Sequence, residues 1–175
     1  MKTSLTYGFV LALGGAIVAM ALFFLGFYDT PEKMEMARWV SMVLGTAISI
    51  IVITMGVKDK RDLTPADKPW GYGSAFGTGF MIGLVGAILG AVFQYAYFAY
   101  INTGAQEVIW QAQRAAFEAK GMTADKIDQI EPMVRKWTSP VMMAVFGFGG
   151  ALLFNTIFAL IVGAFTKNRP EQASV

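Results

Sequence analysis

The sequence predicts an all-α integral membrane protein with four transmembrane helices and an extracytoplasmic helical hairpin between the third and the fourth. Three observations support this fold class. The 175 residues are 55% hydrophobic and 15% charged, with a mean hydropathy of +0.52, which is too apolar for an ordinary soluble domain. Four apolar runs are long enough to cross a hydrocarbon core of about 30 Å. Glycine and alanine recur in these runs at helical spacing, as in packed membrane helices.

The apolar runs and the segments between them predict one membrane domain, 1–175. We expect transmembrane helices at about 5–27, 37–57, 70–101 and 139–166, with a cytoplasmic loop at 58–69 and the extracytoplasmic helical hairpin at 102–138. The first run is longer than a signal-peptide core and ends without a small-residue cleavage site, so we interpret it as a retained helix. The loop contains two prolines and seven charged residues, which end the second helix.

Small residues form a stripe on the first and on the third helix. On the third helix four glycines fall within an arc of roughly 60°: Gly79, Gly83, Gly86 and Gly90. The same spacing recurs on the first helix at Gly8, Ala12, Gly15 and Ala19. Such stripes let helices approach closely in lipid, where van der Waals contact drives association. We therefore predict that these two helices form a packed pair.

Two amide side chains lie within the predicted spans. Asn155 lies at mid-bilayer depth in the last helix, where an amide most often bonds a neighbouring helix for about 1 kcal/mol. We assign it to helix packing, with a gate or substrate contact as the alternative. Gln94 is the only amide in the third span. It predicts an interhelical hydrogen bond near the membrane surface, and the alternative is a ligand or ion contact.

The segment 102–138 is the only sizeable soluble stretch. It predicts two helices, 104–120 and 123–137, which fold over a shared apolar seam. The candidate surface for a partner comprises Trp110, Arg114, Phe117 and Trp137. Carboxylates spaced three apart on the predicted helix 123–137 could act as an acid and a base: Asp125, Asp128 and Glu131. Because nothing nucleophilic or metal-binding accompanies them, we interpret them as a solvated face.

Missing residue types exclude several classes of function. The chain contains no Cys and no His, which removes thiolate nucleophiles, disulfides, His-ligated haem and the ordinary zinc sites. Its net charge of +2 is scattered, so we expect no nucleic-acid partner. The middle of each predicted span carries no ionisable side chain of the kind that marks an ion-coupled pathway. We expect no enzymatic activity, no cofactor and no metal.

Basic residues indicate the orientation. Those near the chain ends and in the loop 58–69 lie in short segments close to helix ends, which is typical of cytoplasmic segments: Lys2, Lys58, Lys60, Arg61, Lys68, Lys167 and Arg169. We therefore expect both termini to be cytoplasmic.

The order of these features resembles a known family. A charged, Pro-containing loop precedes a Gly-rich third helix that ends FAYIN, and an acidic hairpin precedes a Ser-Pro pair that opens the last helix. Together with four apolar segments, this resembles DUF4199, a family of bacterial four-helix membrane proteins of unknown function. The resemblance covers essentially the whole chain and implies a multi-pass protein of the bacterial inner membrane. It implies no activity and no catalytic residue.

The leading functional prediction is a non-enzymatic structural or accessory subunit of that membrane. It would associate, among membrane lipids, with itself or with a larger membrane protein complex through its small-residue faces, and its outer hairpin would dock a partner. The alternative is a small oligomeric pore or carrier for a lipid or apolar molecule, lined by Asn155, Gln94 and the hydroxyls of the second helix. A cavity that touches both amides would favour this alternative. A hydrolase that uses the outer carboxylates is the third interpretation.

Overall fold

The computed structural model describes residues 1–168; Arg169 and the tail 170–175 lie outside the described residues. Within that range six α-helices follow one another: α1 (Lys2–Phe24), α2 (Pro31–Asp62), α3 (Tyr72–Ala96), α4 (Ala105–Ala119), α5 (Ala124–Trp137) and α6 (Pro140–Thr166). A π-helical turn, Tyr97–Ile101, continues α3. As predicted, the described chain is all-helical, and four helices, α1, α2, α3 with its π turn, and α6, are long and apolar enough to cross a membrane.

The second helix is longer than its apolar run. Thr30 caps the N-terminus of α2 by accepting a hydrogen bond from the Lys33 amide, and Pro31 occupies the first turn. At the other end α2 continues to Asp62, so part of the predicted loop 58–69 is helical. Hydropathy marks only the apolar part of a helix, whereas its polar ends continue the same hydrogen-bonding pattern beyond the hydrocarbon region.

The four long helices form a bundle with α3 at its centre. α3 packs most extensively against α6 and next against α1, so the predicted pair of α1 and α3 is in contact but is not the largest interface. The start of α1 and of α3 and the end of α2 and of α6 meet at one end, which we name the loop end. There Trp70 Nε1 donates to the carbonyl oxygen of Thr166 at 3.0 Å, and Arg61 Nη1 donates to that of Asn168 at 3.2 Å.

The bundle core fills the half nearest the loop end. Ile53, Ile82 and Val57 are fully buried there, and Tyr7 and Trp70 pack against the same cluster. In lipid this packing stabilises the bundle mainly through close contact, because the surrounding acyl chains are as apolar as the core. The loop-end half therefore contains the main core of the bundle.

The two shorter helices lie at the opposite end, which we name the cap end. Trp110, Ile127 and Val134 form a second core between α4 and α5. Arg135 links the pair, since its Nη2 donates to Glu107 on α4 at 2.9 Å and its guanidinium lies 5.8 Å from the centre of the Trp110 ring. α4 also contacts α2, and α5 contacts α6. The α4–α5 pair is thus attached to the bundle on two sides.

Candidate functional site

A cavity of about 680 Å³ lies among α1, α2, α3 and α6 in the cap-end half of the bundle. Its lining spans Leu11 to Ala19 on α1, Met34 to Ser49 on α2, Gly86 to Gln94 on α3 and Met143 to Phe158 on α6. The volume lies within the range of about 300–1,000 Å³ that is typical of small-molecule sites. The two halves of the bundle differ in their interior, because the loop-end half contains the buried core, and a second pocket of about 620 Å³ lies outside that core, between Lys60 and Trp70 at the loop end.

Glycines create much of this space. Each of the four long helices contributes to the cavity lining one glycine that faces open space: Gly15, Gly45, Gly90 and Gly150. A Cβ atom placed on any of them would meet no neighbouring atom within 4 Å. Here the missing side chains leave open volume and do not bring helices together.

Other glycines of the same stripes close the bundle nearer the loop end. A Cβ at Gly83 would lie 2.6 Å from Asn155 Cβ, and one at Gly86 would lie 2.7 Å from Leu11 Cδ2. Only the absence of a side chain allows these approaches of α6 and α1 to α3. The helices are thus closest near the loop end and farther apart toward the cap end.

The predicted helix-packing positions divide accordingly. Gly8 and Gly86 lie in the contact between α1 and α3, with Gly8 against Val85. Gly79 and Gly83 face α6, where Ala159 and Asn155 are their neighbours, instead of the predicted α1. The remaining predicted positions line the cavity: Ala12, Gly15, Ala19 and Gly90. The glycines of one stripe on α3 therefore contact α1, contact α6 or line the cavity, because α3 is central and has a neighbour on each side.

Both intramembrane amides belong to the cavity. Asn155 is 5% exposed, and its Nδ2 donates to the carbonyl oxygen of Gly83 at 3.3 Å while the residue also lines the cavity. The Gln94 side chain fills the space left by the missing side chain of Gly147, where a Cβ would overlap the amide. Gln94 and Asn155, 61 positions apart in the sequence, therefore line one site.

The remaining polar lining comes mostly from α2. Ser41, Thr46 and Ser49 of α2 are among the lining residues. Arg38 is the only charged residue among the described cavity-lining residues, and sequence reasoning did not assign it to the site. The available signal was its helical spacing, because Arg38, Ser41, Gly45 and Ser49 recur at intervals of three and four residues.

Aromatic side chains close the cavity toward the cap end. The rings of Tyr28 and Tyr97 lie 6.2 Å apart, and the ring of Phe93 lies 5.8 Å from that of Tyr97. Burial raises the pKa of Tyr28, which lies in the linker between α1 and α2, so its phenol is neutral at physiological pH. Ala105 and Ile109 of α4 complete this wall.

The π turn places Tyr97 in that wall. The Asn102 amide donates to the Tyr97 carbonyl oxygen at 2.7 Å, which closes the wider turn, and Asn102 Nδ2 donates to the Tyr97 hydroxyl at 3.1 Å. Tyr97 is 3% exposed as a result. π-helical turns often occur at functional sites, and this one joins the cavity wall to the segment that leads into α4.

The candidate partner surface is only partly exposed. Trp110 is 3% exposed in the core between α4 and α5, so it is a core residue and not part of a surface. Phe117 packs against the same core, because both lie on the apolar face of α4. Arg114 forms a salt bridge with Glu118 at 3.0 Å. Trp137 is 51% exposed and stacks on Phe146 at 5.8 Å.

The outer carboxylates form no metal site within residues 1–168, where no group of three or more acidic, His or Cys side chains is placed to hold an ion. Glu131 accepts a hydrogen bond from Arg135 Nε at 2.6 Å. This salt bridge lies within α5, and the same arginine also pairs with Glu107 on α4.

Comparison with known proteins connects the chain to one family. A family model described as "Protein of unknown function (DUF4199)" matches residues 6–168, which include the whole cavity lining. No curated protein and no solved structure matches the chain. The resemblance that the order of features predicts is confirmed over nearly the full length. The chain belongs to the DUF4199 family.

Proposed function

We propose that this protein binds a lipid or another apolar molecule in the cavity and acts as a small membrane carrier for it. The observation that supports this proposal most strongly is that Gln94 and Asn155 line a single cavity of about 680 Å³. From the sequence, a cavity that touches both amides is the feature expected to favour a carrier or a pore. Two amides among apolar side chains are typical of a ligand site, in which a few polar groups orient a mainly apolar molecule.

The buried core between the cavity and the loop end favours a carrier over a pore. Ile53, Ile82 and Val57 are fully buried between the cavity and the loop end. Within residues 1–168 the cavity and the pocket at the loop end share no lining residue, and this core lies between them. A ligand would therefore enter and leave through the cap-end half or from the surrounding lipid.

The proposal includes a bacterial inner membrane, cytoplasmic termini and an extracytoplasmic α4–α5 hairpin. Its support is the density of basic residues at the loop end, where Lys58, Lys60 and Arg61 follow one another closely. Because the chain has no native cysteine, Asp67→Cys and Asp128→Cys are suitable reporters. An impermeant maleimide should label Asp128→Cys on intact cells and Asp67→Cys only after lysis. The reverse pattern would invert the orientation.

The leading sequence prediction, an accessory subunit that associates through glycine faces, remains a prediction. Gly79, Gly83 and Gly86 contact α6 and α1 of the same chain, so these faces are occupied within it. Intact-mass determination after gentle extraction from native membranes tests the prediction. A fixed stoichiometry with other chains would support it, and a monodisperse monomer would count against it.

The carrier proposal is tested with a photoreactive probe in nanodiscs. We choose a long-chain alcohol that carries a diazirine near its tail, and the sites of labelling are mapped by mass spectrometry. Labelling should reach cavity residues such as Ser49 and Ala91. Ile51 is 56% exposed on the bundle surface and reports labelling from ordinary lipid contact.

Two matched glycines provide the controls. Gly90→Leu fills the cavity, whereas Gly149→Leu adds the same side chain outside the cavity lining, and at both positions a Cβ meets no atom within 4 Å. We expect Gly90→Leu to abolish labelling of Ser49 and to leave labelling of Ile51 unchanged, with Gly149→Leu behaving like the wild type. Equal labelling of Ser49 in both variants would refute the proposal.

A further inference from the structure

We infer that the ligand is an amphiphile whose anionic head group pairs with Arg38 at the cap end of the cavity. This inference rests on the proposed function, because it specifies the class of molecule that the same cavity accepts. The starting observation is that Arg38 carries the only charge among the described residues that line the cavity. One fixed cation beside an apolar volume is complementary to a molecule with one anionic end.

The position of Arg38 separates a polar end of the cavity from an apolar end. Arg38 lies on α2 at the level where Tyr28 and Tyr97 also meet the cavity, whereas Leu11 and Phe158 line its deeper part. From Arg38 to Ser49 the cavity follows α2 for about 16 Å at 1.5 Å per residue. A molecule that extends along this length has its head at Arg38 and its tail against the bundle core.

The guanidinium is available to such a head group. Among residues 1–168 no carboxylate lies within salt-bridge distance of Arg38, although three other arginines form such pairs. Arg38 is exposed while it lines the cavity, which places it at the rim. A guanidinium binds a carboxylate or a phosphate through two parallel hydrogen bonds.

The surrounding chemistry favours an anion and disfavours a cation. Neutral hydroxyls and amides are the only other polar groups in the lining, including Ser41 near Arg38 and Gln94 across the cavity. None of the described lining residues is acidic, so a cationic ligand would find no partner there. A zwitterionic head would leave its positive group unpaired near Arg38.

The orientation of the ligand follows from that of the bundle. With its head at Arg38 and its tail toward the loop end, the amphiphile would stand parallel to the lipids of the membrane leaflet at the cap end. It could enter the cavity from that leaflet without turning over. The helix separation that leaves Gly45 and Gly90 in open space lies on this route.

The test compares matched probes in the same nanodiscs. The probes are a diazirine-bearing alkyl phosphate, the parent alcohol, and the corresponding carboxylate at pH 9, where the carboxyl is ionised. We expect the alkyl phosphate to label Ser49 about tenfold more than the alcohol does, in proportion to labelling of the lipid-facing Ile51. Arg38→Gln should abolish this preference while labelling by the alcohol persists. Comparison of the phosphate with the carboxylate shows which anion the site prefers.

Lys33→Gln is the control variant. Lys33 carries the same charge on the same helix but does not line the cavity, so its loss should leave the preference intact. If the alcohol and the anions label the cavity equally and Arg38→Gln changes nothing, the inference fails while the carrier proposal stands. If no probe labels Ser49, the carrier proposal fails as well.

Discussion

Alanine at Gly83 should destabilise the protein, whereas alanine at Gly90, two turns further along α3, should not. A Cβ at Gly83 would lie 2.6 Å from Asn155 Cβ and 3.7 Å from the backbone carbonyl carbon of Asn155. Since a Cβ is fixed to its backbone, neither atom can rotate away, and α3 and α6 must separate. A Cβ at Gly90 meets nothing within 4 Å.

The expected magnitude comes from a difference between the two variants. Overpacking of a close contact costs about 1–3 kcal/mol. Replacing glycine by alanine in a helix gains about 1 kcal/mol from helix propensity. Because both variants share this gain, it cancels in the comparison. We expect Gly83→Ala to be less stable than Gly90→Ala by about 1–3 kcal/mol, with Gly90→Ala at least as stable as the wild type.

Gly86→Ala provides an intermediate case. Its Cβ would meet Leu11 at Cδ2, which is the end of a flexible side chain and can move aside. The three variants should therefore rank Gly83→Ala, Gly86→Ala and Gly90→Ala in order of increasing stability. This order depends on what each missing side chain faces, and not on position along the stripe alone.

Unfolding by SDS in mixed micelles, followed by tryptophan fluorescence, measures the three midpoints. Far-UV circular dichroism at the starting point checks that each variant is folded. Identical midpoints for Gly83→Ala and Gly90→Ala would refute the reasoning, because they would mean that α3 and α6 are no closer at Gly83 than the cavity wall is at Gly90.

Three further predictions concern the α4–α5 pair and the loop end. A hydrogen bond from Arg135 lowers the pKa of Glu107 below its ordinary value of 4.5, so its stabilising effect is present above that value and is lost as the pH falls through the lowered pKa. The protection factors of the amides in α4 and α5, which are the ratios of intrinsic to observed exchange rate, should therefore fall between about pH 5 and pH 3 in the wild type and much less in Glu107→Gln. Ile127→Ala should destabilise the α4–α5 pair by about 2–5 kcal/mol. Hydrogen exchange should become faster at residues 105–137, while the SDS midpoint of the bundle stays unchanged. An altered midpoint would contradict this local effect. Trp70→Phe should remove the hydrogen bond to Thr166 and lower the SDS midpoint by the equivalent of about 1 kcal/mol; an unchanged midpoint would show that this bond adds no stability.

Much of the architecture follows from the sequence because lipid imposes a strong constraint on it. A spanning segment needs about twenty apolar residues in a helix, so hydropathy locates all four long helices. The polar ends of α2 escape this signal, and only the cap at Thr30 and the proline at Pro31 indicate where the helix begins. Hydropathy also does not show which helix packs most extensively against α3, since α1 and α6 both carry small residues.

The position of the cavity could not be predicted from the sequence, although its two amides and several of its small residues could be recognised. Gly83 and Gly90 follow the same helical spacing, yet one contacts α6 and the other faces open space. The difference depends on the separation of the helices, which no single helix encodes. Asn155 and Gln94 were recognisable as unusual residues in a membrane span, but their shared cavity depends on the packing of α6 against α3.

Some glycines of the bundle allow close contact between helices, whereas others face the open space of the cavity. Larger residues at Gly45, Gly90 or Gly150 change the shape of the cavity without forcing helices apart, whereas Gly83 tolerates no such change. If the cavity holds a ligand as we propose, mutation can therefore alter which molecule is held while the loop-end half continues to secure the bundle. On that proposal, side-chain size at these three positions is the first place to look for differences in ligand preference between members of the family.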